Sequence, residues 1–341
     1  MKQPSRWLVM RLSALGDVVL TTGVLDYLAK RYGWTFSVLT RKEWAGVFDG
    51  HPAVEKVIGL DSARFKLPAM LREFRRISKE HAGWGMIDLH GTIRSYLLSI
   101  LWRGPVLRYP KMSAERRAFL SSGGRVGAEK LLRFNVPQRY ALAVQDEAPE
   151  RSDLLPIIYL TEAEKNAAKA MLDNARQFPL IILHPYSTHI NKAWVDKNWY
   201  ALAERLCAAG YQCAVVGAGK TFFADAACGV LDFTGKTSLR ESCALLSLAA
   251  VVVTGDSGPM HLASAVGTPV VALFGPTHKA WGFYPEGKND VVLEAELSCR
   301  PCSLHGSKKC PHDQACMATI SVDEVFDAVK GKVEGKKSVN A

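Results

Sequence analysis

At about 150 residues per domain, a chain of 341 residues is long enough for roughly two domains, each with its own core. Apolar residues make up 48% and charged residues 22%, with Gly and Pro spread along the chain, which excludes a disordered, collagen-like or low-complexity protein. Lys and Arg outnumber Asp and Glu by 43 to 33, a net charge of +10 that favours an anionic partner: nucleic acid, anionic lipid or a phosphorylated small molecule. The positive charge is dispersed, with no long basic tract, so no nucleic-acid partner is expected. No apolar run approaches the ~20 residues of a membrane-spanning helix, and the stretch 7–10 is too short for the core of a signal peptide. A cytoplasmic location follows as the expectation, and with it eight cysteines that do not form a disulfide framework.

Short apolar runs alternate with longer amphipathic ones, the pattern of βα units that build a parallel sheet. Residues 7–10 read as a short buried strand, 12–17 as a loop, and 18–31 as a helix with Val18, Leu25 and Leu28 on one face. Strands follow at 35–39, 54–60, 86–89 and 106–109, with helices at 67–80 and 92–102. The stretch 144–156 is acidic, carries two prolines and lacks periodicity, so it reads as the connection between halves. A first domain is thus expected over 1–150, a second over 157–330, and a disordered basic tail at 331–341.

In the second half, Thr161 and Glu164 form a capping-box pattern opening a helix to about residue 175, and Pro179 precedes a strand at 180–184. A helix at 196–209 closed by Gly210, a strand at 212–216 and a helix capped by Ser238 and Glu241 come next. A strand at 251–254, a helix at 260–265 and a strand at 270–274 complete the array. The fold class is therefore α/β, two doubly wound domains around a central cleft. Ligands of such sheets bind beyond the carboxyl ends of the strands, which directs attention to the loops after Met10, His184, Val216, Thr254 and Phe274.

Three of these loops carry chemistry. In Ser13-Ala14-Leu15-Gly16-Asp17 the backbone N–H groups of a helix start face a ligand, and Asp17 reads either as a general base or as an acidic first-turn residue complementing the helix dipole. The loop from His184 to Trp194 holds hydroxyls and Lys192, and reads either as a diphosphate site, which requires such donors and a point charge, or as a solvated surface loop. In Thr254-Gly255-Asp256-Ser257-Gly258-Pro259-Met260-His261, small residues and a carboxylate stand at a strand end before a helix, where exposed N–H groups suit phosphate and Asp256 can accept from sugar hydroxyls.

Gly-Asp-Ser-Gly is no serine-protease segment in this strand-to-helix setting, and Pro259 occupies the second glycine of a nucleophile elbow. Gly217-Ala218-Gly219-Lys220-Thr221 fails as a P-loop and as a dinucleotide fingerprint, and reads as a strand-to-helix turn near a nucleotide. His90, Arg94 and Ser95 end a strand and begin a helix, where Arg94 either pairs with an acidic acceptor or is solvent-exposed. Cys299, Cys302, Cys310 and Cys316 fall within eighteen residues and read as a structural metal site, as reduced thiols or as an adventitious disulfide, whereas Cys207, Cys213, Cys228 and Cys243 read as small core residues.

Together these segments resemble the family 9 glycosyltransferases, the lipopolysaccharide heptosyltransferases. The resemblance rests on the stretch from Arg11 to Thr22 and on that from Thr254 to Ala263, with Thr234 to Leu239, Gly267 to Thr277 and the Cys299-Arg300-Pro301-Cys302 segment, and it covers about residues 7–330. It implies a GT-B architecture of two Rossmann-like domains, acceptor on the first and nucleotide-sugar on the second. It also implies inverting, metal-independent transfer of heptose from ADP-heptose to Kdo-lipid A or a heptosylated core acceptor, by a protein peripheral at the inner-leaflet surface. Carried onto this chain, Asp17 is the base, while Lys192 with Ser187 and Thr188 holds the departing diphosphate. Asp256, Ser257, Gly258 and His261 line the donor pocket, and Ser13, Gly16 and Arg94 are the acceptor-side candidates. Many members of the family have an acidic residue where this chain has Gly219-Lys220-Thr221-Phe222-Phe223, and the alternative reading is a same-fold transferase with another nucleotide-sugar or glycan acceptor.

Overall fold

Among the described residues, eleven strands form two separate sheets in which every neighbouring pair is parallel. The computed structural model describes residues 4–61, 63, 66–172, 178–223, 229–307 and 309–339. The chain divides into two compact units, Met1–Met112 with Phe134–Tyr159, and Ser113–Arg133 with Leu160–Ala341.

The first unit runs β1 (Arg6–Met10), α1 (Leu15–Tyr32), β2 (Thr35–Arg41), β3 (Val54–Leu60), α2 (Leu67–Glu80), β4 (Gly85–Asp88), α3 (Ile93–Leu101) and β5 (Val106–Arg108). Its sheet order is β3-β2-β1-β4-β5, so the winding reverses between β1 and β4, and ligands of such sheets bind at that reversal. The central strands are buried on both faces, which is why they read as continuous apolar runs rather than alternating ones. The loop expected at 12–17 is shorter than its sequence suggested. Ala14 caps α1, and Asp17 is already in the first turn, where its side chain accepts from the Ala14 N–H at 3.2 Å. Loss of regular apolar periodicity at Leu15-Gly16-Asp17 hid the start of that helix.

Next come α4 (Ser113–Ser121) and α5 (Ala128–Arg133), which belong with the second unit, where the Phe119 ring packs 5.3 Å from both His278 and Trp281. With α6 (Val136–Ala141) the chain rejoins the first unit and stays there through Tyr159. Residues 144–156, read as a connection, thus lie within that unit. Neighbouring Ile157 donates its N–H to Thr22 Oγ1 at 2.9 Å, and Tyr159 donates to Asp26 at 3.2 Å.

The second unit continues with α7 (Glu162–Met171), β6 (Leu180–His184), α8 (Asp196–Ala208), β7 (Gln212–Val215), β8 (Leu231–Asp232), α9 (Leu239–Leu248), β9 (Val251–Gly255), α10 (Gly258–Ala265), β10 (Val270–Phe274), β11 (Val291–Glu294), α11 (Ala315–Ala318) and α12 (Val322–Val339). The order β11-β10-β9-β6-β7-β8 is the dinucleotide-fold pattern, with its reversal between β6 and β9. Thr161 with Glu164 and Ser238 with Glu241 form the expected capping boxes. The end of the first of these helices, expected near residue 175, and Cys228 lie outside the described residues. The Lys-rich segment read as a disordered tail continues α12 through Val339. Among the described residues no helix is long and apolar enough to cross a membrane.

Candidate active site

In the second unit the register of β6 on β9 sets His184 beside Thr254, and the two side chains meet at 3.2 Å. Burial pushes the His184 imidazole down to about 4, so near neutral pH it is uncharged and serves as a hydrogen-bonding spacer between strand ends. Ser257 Oγ lies 3.1 Å from Thr254 Oγ1. Ser257 is also the N-cap of α10, yet its side chain makes no capping bond. The first N–H groups of α10 therefore have no side-chain cap, and such a helix start attracts anions.

Lys192 closes the short turn Ile190–Lys192 in the loop after β6, and its Nζ lies 2.6 Å from Asp256 Oδ2 in the loop after β9. Thr277 Oγ1 donates to the same carboxylate oxygen at 2.8 Å. The aliphatic stem of Lys192 passes along Gly306, where a Cβ would stand 2.8 Å from Lys192 Cγ on a backbone with φ of +79°. Asn191 Nδ2 donates to the Gly306 carbonyl at 2.9 Å, so the same turn is held from both sides. The result is an ammonium fixed by a carboxylate next to an uncapped helix start.

The remaining donor-side candidates are placed less centrally. Ser187 donates its hydroxyl to the His189 carbonyl at 2.9 Å, Thr188 is exposed, and Gly258 is the first residue of α10. His261 is buried one turn further along α10, with its ring 6.5 Å from that of Phe283. The turn after β7 leans on the same region. Tyr186 donates to the Lys220 carbonyl at 3.1 Å, and its ring occupies the space a Cβ on Gly217 would need.

In the first unit a second cluster forms at the β1 and β4 ends. Arg11 Nη2 lies 2.6 Å from Asp17 Oδ1, Tyr140 donates to that oxygen at 2.9 Å, and Arg11 also donates to the Leu89 carbonyl. The Arg11 guanidinium stands 5.5 Å from the Tyr140 ring centre. Burial, with Asp17 reinforcing it and Arg11 opposing it, pushes the Tyr140 phenol well up, so it remains a donor. His90 is buried nearby and is pushed down to about 4 by burial and then by Arg11, against the pull of Asp88 and Asp17. Ser13 is half-buried before α1, Gly16 lies in its first turn, and Arg94 is exposed in the first turn of α3.

Residues 85–312 match the family model described as Glycosyltransferase family 9 (heptosyltransferase). The chain belongs to glycosyltransferase family 9. As a family 9 member it is a glycosyltransferase, and its two doubly wound units are the Rossmann-like domains of the GT-B fold. It is 29% identical over 322 residues to lipopolysaccharide heptosyltransferase 1 of Pseudomonas aeruginosa, covering 87% of this chain and 86% of the relative. It is 32% identical over 288 residues to lipopolysaccharide heptosyltransferase 3 of Escherichia coli, covering 78% and 82%. The structure of E. coli ADP-heptose lps heptosyltransferase II superimposes with a TM-score of 0.74 at 20% identity, over 97% of this chain and 99% of that one.

For this family 9 chain the sequence left Arg11, Tyr140, His184 and Thr277 without site roles. Tyr140 follows Asp17 by 123 residues, a pairing without a local signal. His184 and Thr277 do carry one: each is a polar residue at or just beyond the end of an apolar strand. Among the described residues Cys299, Cys302, Cys310 and Cys316 form no disulfide, and no group of three or more His, Cys, Asp or Glu is arranged to hold a metal ion. Cys213 and Cys243 are buried in the core, whereas Cys207 is half-buried against it.

Proposed function

We propose that the protein transfers heptose from ADP-heptose to the inner core of lipopolysaccharide, onto a Kdo or heptose hydroxyl, with inversion at the anomeric carbon. The Lys192–Asp256 pair beside the start of α10 carries this reading, because it joins a fixed cation to a helix N-terminus without a side-chain cap, the combination that favours a diphosphate leaving group. Asp17 accepts the proton of the acceptor hydroxyl, whose oxygen attacks the anomeric carbon from the face opposite the diphosphate. The bond from that carbon to the phosphate oxygen breaks, and ADP departs with its new charge facing the Lys192 ammonium. Arg11 and Tyr140 hold one carboxylate oxygen of Asp17 and the Ala14 N–H reaches the other at 3.2 Å, which fixes the orientation of the carboxylate that receives the proton.

Ser187, Thr188, Ser257, Gly258 and His261 complete the donor side in this reading, Ser13, Gly16 and Arg94 the acceptor side. The lipid-borne acceptor puts the protein at the cytoplasmic surface of the inner membrane as a peripheral enzyme. The experiment is calorimetric titration with ADP, UDP and GDP, followed by transfer from ADP-heptose to truncated core acceptors. Selective ADP binding with heptose transfer supports the reading. Preference for UDP or GDP favours the same-fold alternative that Gly219-Lys220-Thr221 suggests, and absence of nucleotide binding overturns both.

A further inference from the structure

Helices α2 and α3 share one core: Met70, Phe74 and Ile77 pack with Leu98 and Trp102, and Ser78 Oγ donates to the Leu101 carbonyl at 2.7 Å. Their opposite faces therefore look outward together. On α3 that outward face is apolar, with Ile93 81%, Ile100 78% and Tyr96 49% exposed at the spacing of a single helical stripe. Leu67, 56% exposed, opens α2, whose outer surface then presents Arg72, Arg75 and Lys79 along a groove of about 700 Å³. From Lys66 to Lys111 the chain carries nine Lys and Arg against three Asp and Glu. All three acids are already ion-paired, Glu73 and Glu80 with Arg76 and Asp88 with Arg108.

We propose that this α2–α3 face docks the protein on an anionic phospholipid bilayer, with Ile93, Tyr96 and Ile100 entering the headgroup boundary and Arg72, Arg75 and Lys79 meeting lipid phosphates. Scattered exposed apolar residues need no explanation, but a stripe of them on a helix without a single acid does. A protein partner is met by an apolar core with a polar rim, in which Lys is depleted. Apolar side chains among charges of one sign match a surface that is anionic at the top and hydrocarbon beneath. Tyr96 fits that depth, an amphipathic ring with the Arg108 guanidinium 4.0 Å from its centre. α3 begins just after the His90 loop, at the strand end that carries the Asp17 cluster, so docking here delivers a lipid-borne acceptor to that cluster. That last step rests on the proposed acceptor, whereas the bilayer contact itself does not.

The test is flotation of the full-length protein with vesicles of phosphatidylcholine alone or with about one third phosphatidylglycerol. The wild type is expected to partition to the anionic vesicles at least tenfold better, and less so at high salt, where exposed charges are screened. Ile93→Ser with Ile100→Ser, and separately Arg72→Gln with Arg75→Gln and Lys79→Gln, are each expected to lower partitioning about tenfold. Thermal unfolding and ADP titration report whether the variants remain folded. Vesicle binding that neither variant weakens overturns the assignment, as does no vesicle binding, or loss of a dimer in sedimentation velocity that marks the face as a self-interface. Transfer to a water-soluble truncated acceptor separates these outcomes from failure of the proposed reaction, since it requires no bilayer.

Discussion

The Lys192 ammonium and the Asp256 carboxylate meet at 2.6 Å although they stand 64 residues apart, on the loops that leave β6 and β9 at the point where the sheet reverses its winding. Asp256 holds Lys192 without consuming all of its N–H donors, and Thr277 keeps the carboxylate in place. Lys192→Ala is expected to lower kcat/KM for heptose transfer by about 10²–10³-fold, the range for losing one preorganised donor to a developing charge. Lys192→Arg is expected to recover little, because a planar guanidinium does not reproduce the compact point charge that Lys192 holds against Asp256. Steady-state kinetics with ADP-heptose, alongside ADP titration, measures both, and near-wild-type turnover in Lys192→Ala would remove the assigned role.

Asp17 is held by Arg11 and Tyr140 in the first turn of α1, and in its proposed role as the base it contributes chiefly to the chemical step. Asp17→Asn is expected to reduce kcat by roughly 10²–10⁴-fold while leaving ADP affinity unchanged. Tyr140→Phe keeps the buried ring and removes only the hydroxyl, so kcat is expected to fall about tenfold, the effect of losing one hydrogen bond to a charged group, with little change in KM. A KM effect with unchanged kcat would instead place these residues in acceptor binding.

The parallel-sheet architecture was legible because β6, β9 and β10 are buried on both faces and therefore appear as unbroken apolar runs. The capping boxes at Thr161 and Ser238 were legible for a local reason, since cap and partner stand three residues apart. Lys192 and Asp256 were found as separate loop residues, but their pairing depends on sheet order, which no local pattern encodes. The same holds for Tyr140 with Asp17. The placement of 113–133 escaped the sequence reading as well, because Phe119 reaches its partners only through tertiary packing on Trp281.

Gly217 offers a test of how the turn after β7 is built. Its φ is +151° and a Cβ there would lie 2.4 Å from the Tyr186 ring, so Gly217→Ala combines a backbone penalty with a clash. A loss of ~1–3 kcal/mol in unfolding free energy is expected. In a Tyr186→Ala background the clash term disappears and only the backbone penalty remains. Urea unfolding of the double-mutant cycle measures the difference, and strict additivity would show that ring and turn are not in contact.

Glu164 makes a prediction about pH. Arg240 Nε and Nη2 each lie 2.7 Å from one of its carboxylate oxygens, and the Thr161 N–H and hydroxyl donate to it at 2.8 and 2.9 Å. The Arg240 hydrogen bonds, against burial and with help from Thr161, hold the carboxyl down at about 2. A carboxyl depressed in the folded state contributes stability that is fully present above its ordinary value of 4.5 and is lost as pH falls through about 2. Glu164→Gln retains the capping-box geometry with Thr161 and removes the charge, so near neutral pH it is expected to cost ~1 kcal/mol, in keeping with a partly exposed pair. The gap between variant and wild type should then narrow as pH falls from 4.5 towards 2, as measured by urea unfolding across that window. A gap of constant size would assign the loss to packing of α7 on α9 rather than to the ion pair.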